Sequence, residues 1–262
     1  MATLTTGLPG LGRDDRFFLM LAIAMALTVV AGFSLQLAMG RSSFASPVHV
    51  HLHALLFFGW VTLYVAQNVL VTRGTLALHR RLGWIGAAWA AAMVGVGIYT
   101  TANMVRNGTA PFFFEPAYFL VMNSLSVLCF AGLTAAAIIL RRRTDWHRRL
   151  HVCGMAMLTG PAFGRLLPMP LLIPHAGSAV FAALMLWPAI GIAADLRRRG
   201  RVHPAWWWGI GAMFATQAAM TLIAHNPLGL AIYDAVTAGT PGARVAPLDF
   251  PPPPAGPLIT GR

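Results

Sequence analysis

Lysine is absent from this chain of 262 residues, and glutamate occurs once, at Glu115. Charged residues make up 10% of the sequence, against about 25% in soluble globular proteins. Apolar residues make up 57%, a share that excludes a soluble domain. The net charge of +12 is compatible with nucleic-acid binding, but the hydropathy is not. The sequence therefore predicts an all-α integral membrane protein with no nucleic-acid partner.

Cysteine and the usual marks of soluble enzymes are also scarce. Cys129 and Cys153 both fall in apolar stretches, which favours buried small hydrophobic residues over a disulfide or a metal pair. The chain has no phosphate-binding loop and no nucleophile elbow. No charged residue is expected at the bilayer centre, where an ion pump normally needs one. These absences exclude the chemistry of soluble enzymes.

Seven apolar stretches are long enough to cross a bilayer core, which takes about 20 helical residues. They predict one leading helix followed by three hairpins. On one side of this arrangement lie 14 of the 19 arginines. The positive-inside rule places that side, with the N-terminus, in the cytoplasm and the C-terminus outside. The predicted helices cover residues 16–39, 48–72, 82–104, 115–140, 148–170, 175–196 and 205–225.

The chain is predicted to have two parts. Residues 1–225 form the seven-helix transmembrane domain, and residues 226–262 form an extracytoplasmic tail rich in proline and glycine. Such a composition is typical of an extended, poorly ordered segment or of a strap that lies on a partner. The tail is therefore the expected contact with other subunits of a membrane complex.

A short motif recurs: His79-Arg80-Arg81-Leu82 returns as His147-Arg148-Arg149-Leu150, so two of the hairpins are similar. Together with His51-Leu52-His53-Ala54 followed by Trp60, and with the later Pro161 to Arg165, it resembles a group of bacterial polytopic membrane proteins. The resemblance covers roughly residues 48–167. It implies a multi-pass protein of the bacterial inner membrane and no particular activity. His151 departs from the group, which more often has methionine there.

Ionisable side chains gather at the predicted outer ends of the helices. A rise of 1.5 Å per residue puts His53 about 28 Å and Arg165 about 24 Å from the cytoplasmic helix ends. Charges inside a membrane are costly and usually have a partner or a function. Glu115 and Arg165 are therefore predicted to form an ion pair, with the reading of an anion as the other role for Arg165.

The histidines of this outer layer are candidate ligands of a metal or a haem. Neutral imidazoles with a carboxylate suit zinc or copper, and two histidines from different helices at one depth suit haem b. No established ligand spacing is present, so histidines bonded to headgroups and water are the alternative. The candidates are His49, His51, His53, His175, His225 and Glu115.

Four further histidines lie among the arginines of the inner layer: His79, His147, His151 and His203. Basic side chains at this level typically bind anionic lipids of the cytoplasmic face. The other interpretation is an inner haem held by His151 with His79 or His203.

Three functions follow from these patterns. The favoured one is a haem- or metal-binding redox membrane protein with its site on the outer side. The second is a carrier of a small anionic or lipidic molecule that uses Arg165, with Gln67, Asn123 and Gln217 along the path. The third is a structural or assembly subunit that holds its partner through the tail.

Overall fold

The computed structural model describes residues 12–254 and residue 256. Within these residues the regular elements are ten α-helices and two short 3₁₀ turns, which confirms the all-α prediction. The helices are α1 (Arg13–Ala38), α2 (Val48–Thr72), α3 (Leu76–Arg106), α4 (Pro116–Ile139), α5 (Thr144–Leu158), α6 (Gly160–Leu166), α7 (Ala176–Leu184), α8 (Leu186–Arg199), α9 (Pro204–Ala224) and α10 (Pro227–Thr237); the 3₁₀ turns are Met169–Leu172 and Pro241–Arg244.

Five helical segments of the described chain are long and apolar enough to cross a membrane: α1 to α4, and α7 with α8 taken together as Ala176–Arg199. They coincide with five of the seven predicted stretches. The remaining two stretches, 148–170 and 205–225, are helical as α5–α6 and α9. That these two cross the membrane stays a prediction.

Two predicted helices are interrupted, and proline explains both interruptions. Pro161 lies just after the break at Thr159, and Pro188 just after the break at Met185. A proline lacks the N–H that its helical position requires, and its ring clashes with the carbonyl one turn earlier. The breaks pack together, because the indole N–H of Trp187 donates to the Thr159 hydroxyl at 3.0 Å.

Helix α4 lies at the centre of the bundle, in contact with α3, α5 and α9, while α1 packs against α2 and α6. The approach of α1 to α6 depends on Gly32. A Cβ atom at this position would lie 2.7 Å from the carbonyl oxygen of Ala162. Arg165 lies in the same short helix, α6, three residues after Ala162.

The C-terminal region is folded rather than extended, so that expectation is wrong for residues 227–244. Helix α10 packs against α3, α4 and α9, and the Tyr233 hydroxyl donates to the carbonyls of Gly242 and Val245. The Ala117 N–H at the start of α4 donates to the Pro247 carbonyl at 2.9 Å. Up to Pro247, therefore, the predicted tail is part of the bundle, and its last residues, 257–262, lie outside the described chain.

Candidate functional site

A buried ion pair occupies the arginine-rich end of the bundle. Arg149 is 1% exposed, and its guanidinium donates through Nε and Nη2 to the two carboxylate oxygens of Asp195, at 2.9 and 2.5 Å. Its Nη1 donates to the carbonyl of Asp145 at 3.0 Å. Such a two-pronged contact fixes the angle between the helices as well as their distance. The pair joins α5 to α8.

Asp195 also anchors the start of α9. Its Oδ2 accepts from the indole N–H of Trp206 at 2.9 Å and from the backbone N–H of His203 at 3.2 Å. The carboxylate is therefore fully occupied by this chain, which makes the pair structural. The sequence pattern missed it because Arg149 was counted only among the inner arginines. The sequence feature that could have indicated the pair is Asp195 itself, an aspartate followed directly by Leu196 and a run of arginines.

Three histidines of the predicted inner layer form a cluster between α3 and α5. The ring centroids of His79 and His147 are 6.2 Å apart, and those of His147 and His151 are 4.6 Å apart. His147 Nδ1 is 2.8 Å from the Ala137 carbonyl, and Gln67 donates to the His79 carbonyl at 3.2 Å. His203 has a separate role: its Nδ1 accepts from an N–H in the first turn of α9. The structure thus brings together three of the four inner candidates.

The histidines that open α2 point to different surroundings. His49 packs edge-on against Tyr99, with centroids 5.9 Å apart, and Nε2 of His51 lies 3.1 Å from the Phe44 carbonyl. His53 stacks on Phe57 at 4.1 Å, and its Nδ1 is buried without a hydrogen-bond partner.

Glu115 pairs with His225 rather than with Arg165, so the predicted ion pair is wrong. Glu115 Oε2 lies 2.7 Å from His225 Nε2, across the gap between α4 and α9. A small pocket of about 160 Å³ opens beside this pair and is lined also by Tyr118. The Tyr118 hydroxyl accepts from Gln217 at 3.1 Å. His175 directly precedes α7, makes no capping hydrogen bond with its side chain, and is exposed.

His225 is a pH-sensitive group at the end of the bundle that holds Glu115. Its Nδ1 faces the Thr221 carbonyl, and that hydrogen bond, with the Glu115 carboxylate next, raises the pKa of His225 above its usual value of about 6.5, against the opposing effect of burial. Only the protonated ring donates through both nitrogens. A raised folded-state pKa stabilises the fold fully below about pH 6.5, and the gain is lost as the pH rises through the folded-state value.

We therefore expect the contribution of His225 to the melting temperature to fall between about pH 6 and about pH 8. The Glu115→Gln variant keeps an acceptor oxygen but loses the charge, so the melting temperature of the wild type, relative to that of the variant, should fall over this range. Calorimetry of the purified proteins in detergent measures the difference, with His175→Gln as the matched control. Equal slopes in the wild type and Glu115→Gln would contradict the assignment.

Arg165 is a half-buried ionisable side chain that has no counter-charge among the described residues. Its Nη1 donates to the Pro161 carbonyl of its own helix at 2.9 Å, and its guanidinium carbon lies 4.0 Å from the ring centroid of Phe33. Its Nε is buried without a hydrogen-bond partner.

Arg165 and His53 together leave two buried nitrogens without partners. The two side chains are close enough for an electrostatic interaction. The backbone around Arg165 is well held, because the Gln36 amide donates to its carbonyl at 3.0 Å. Buried polar atoms are nearly always hydrogen-bonded in folded proteins. The arrangement can therefore accept a ligand that brings negative charge and acceptor oxygens.

The structure gives the metal and haem hypotheses no added support. In the chain as described, no group of three or more His, Cys, Asp or Glu side chains is arranged to hold a metal ion. The outer candidates are divided between the opening of α2, the start of α7 and the Glu115–His225 pair. The redox hypothesis therefore stays a prediction.

No family model matches this chain, and no curated protein or solved structure does. The resemblance to bacterial polytopic proteins thus stays a prediction, and the function has to be argued from the geometry of the protein itself.

Proposed function

We propose that this protein is a seven-span carrier of the bacterial inner membrane, with a cytoplasmic N-terminus, which binds an anionic amphiphile through Arg165. The two further spans are supported by length. The segment from Thr144 to Leu166 and helix α9 measure about 34 and 32 Å at 1.5 Å per residue. A bilayer core is about 30 Å thick. The arginine distribution supports the orientation.

The observation that carries the proposal is the unneutralised guanidinium of Arg165. A buried charge without a counter-charge is strongly destabilising, and such residues in membranes usually mark a substrate path or a hidden partner. The fully buried arginine, Arg149, has its carboxylate, whereas the side chain of Arg165 is half-buried. The guanidinium of Arg165 lies against the ring of Phe33, and its Nε has no hydrogen-bond partner. A bound anion supplies both the counter-charge and the hydrogen-bond acceptor.

The surroundings favour an amphiphile over a fully water-soluble anion. Leu35 and Leu166 beside the Arg165 region are 41% and 39% exposed, on a surface that faces lipid in a bilayer. A carboxylate or phosphate therefore reaches the guanidinium sideways while its apolar tail stays in the membrane. Arginine is the side chain whose planar fork matches both anions.

The test compares ligands of equal tail length. Dodecanoate and dodecyl phosphate should bind the purified protein about tenfold more tightly than dodecanol, since a hydrogen bond to a charged group contributes roughly 1.5–3 kcal/mol. Arg165→Gln should remove this preference, and Arg165→Lys should keep part of it because the charge remains. Native mass spectrometry gives the dissociation constants. Flux of dodecyl phosphate into proteoliposomes then tests carriage, with empty vesicles as background.

Arg106→Gln is the matched control. Arg106 also lies at the predicted outer side, but its Nη1 already donates to the Val236 carbonyl at 2.7 Å. This variant should keep the preference for the anionic ligands. Unchanged discrimination in a folded Arg165→Gln protein, or equal losses in both variants, would refute the assignment to Arg165.

A further inference from the structure

An apolar groove runs along the lipid-facing side of α4, α5 and α9. It has a volume of about 580 Å³ and is open on one side. Small residues form its floor, among them Gly132 on α4 and Ala212 on α9, while Trp146 and Trp208 flank one end. Trp208 is 71% exposed. The groove is distinct from the Arg165 region, which belongs to α1 and α6.

The length of the groove matches one leaflet of a bilayer. From Leu140 at its arginine-rich end to Cys129 at its other end, α4 rises about 16 Å. This is about half of the hydrocarbon thickness of ~30 Å. Cys129 and Thr216 line the deep end of the groove. The groove thus has the reach of a single acyl chain that enters from one membrane surface.

The open end of the groove carries a free positive charge. Arg143 lines it, in the short connection between α4 and α5, and its side chain is exposed. In the chain from residue 12 to residue 254, no carboxylate forms an ion pair with Arg143. Trp146 and Trp208 lie at the same level, where tryptophan typically marks the membrane–water interface. A phosphate at this level meets Arg143 while its acyl chain lies below.

We infer that this groove binds an anionic phospholipid of the arginine-rich membrane face, with one acyl chain between α4 and α9 and the phosphate on Arg143. The charge at the entrance selects the headgroup, and the apolar walls hold the chain. The site goes beyond the proposed function, because it uses none of the residues around Arg165.

Two exposed glycines, one inside the groove and one outside it, allow a controlled test of lipid binding. A Cβ atom at Gly132 meets nothing within 4 Å, so the side chain of Gly132→Leu starts in open space and should occupy the groove. Gly95 on α3 is equally exposed and equally free, and Gly95→Leu is the matched control. Titration with phosphatidylglycerol or phosphatidylcholine, followed by native mass spectrometry, measures lipid binding to the intact protein. We expect Gly132→Leu to weaken phosphatidylglycerol binding about tenfold and Gly95→Leu to leave it unchanged.

The headgroup is tested by a second matched pair, Arg143→Ala and Arg142→Ala, both in the same exposed connection. Only Arg143→Ala should bring phosphatidylglycerol binding down to the level of phosphatidylcholine. Equal binding in Gly132→Leu and Gly95→Leu, or equal effects of the two arginine variants, would overturn the proposal. Because Arg165→Gln leaves this groove intact, failure here and failure of the Arg165 site are separately visible.

Discussion

Replacing Arg149 with alanine is expected to lower the free energy of unfolding by about 3–5 kcal/mol, since removal of one partner leaves a buried charge unpaired. Asp195 would keep only the N–H groups of Trp206 and His203 as donors. The carboxylate lies where α5, α8 and α9 meet, so water has little access to it. Reversible unfolding in mixed detergent micelles, followed by tryptophan fluorescence, measures the loss.

Two further variants show how much of the stability loss comes from the burial of the ion pair and how much from its charge. Arg199 bonds Asp14 and Asp145 with its side chain 31% exposed, so Arg199→Ala should cost about 1 kcal/mol or less. The double variant Arg149→Met with Asp195→Asn removes both charges but keeps an acceptor oxygen for the N–H groups of Trp206 and His203, so it should recover part of the loss. Similar losses for Arg149→Ala and Arg199→Ala would contradict the structural role of the pair.

Gly191→Ala is expected to cost about 3 kcal/mol or more, although it adds a single methyl group. The new Cβ atom would overlap the indole ring of Trp206, which is completely buried. To relieve the overlap, either the ring shifts and its N–H moves away from Asp195, or α8 and α9 move apart. The same unfolding assay reports the loss of stability.

Gly211→Ala on α9 provides the control for this glycine. A Cβ atom at Gly211 meets nothing within 4 Å, and alanine is the better helix former by up to about 1 kcal/mol. This variant should be as stable as the wild type or slightly more stable. If Gly191→Ala were equally stable, the close contact with Trp206 would not be needed for the fold.

The sequence predicts the long helices well, because length and hydropathy alone determine them. The predicted stretch 48–72 agrees with Val48–Thr72, and 115–140 agrees with Pro116–Ile139. The prediction fails where proline acts locally. Pro161 and Pro188 divide two apolar stretches. Pro227, which lies in the stretch predicted to be a tail, begins helix α10 at its first position, where proline is favoured.

The sequence predicts the level of each candidate residue along its helix but not the face of the helix on which it lies. The candidate site is therefore predicted only in part. Glu115, Arg165 and His225 were all placed in one outer layer. Which of them meet is set by the faces of α4, α6 and α9, and those faces depend on the packing. The same reasoning explains the missed pair of Arg149 with Asp195, whose burial no composition count reveals.

The hydrogen bond from Ala117 to the Pro247 carbonyl has a consequence for biogenesis. Translation completes α4 long before Pro247 leaves the ribosome. The Ala117 N–H in the first turn of α4 therefore lacks this acceptor while the remaining helices are inserted. The neighbouring Glu115 side chain likewise lacks its partner until His225 has been synthesised. The end of the bundle that holds Ala117 and Glu115 is therefore the last part of this protein to mature, and a chain released before residue 247 lacks the acceptor for the Ala117 N–H.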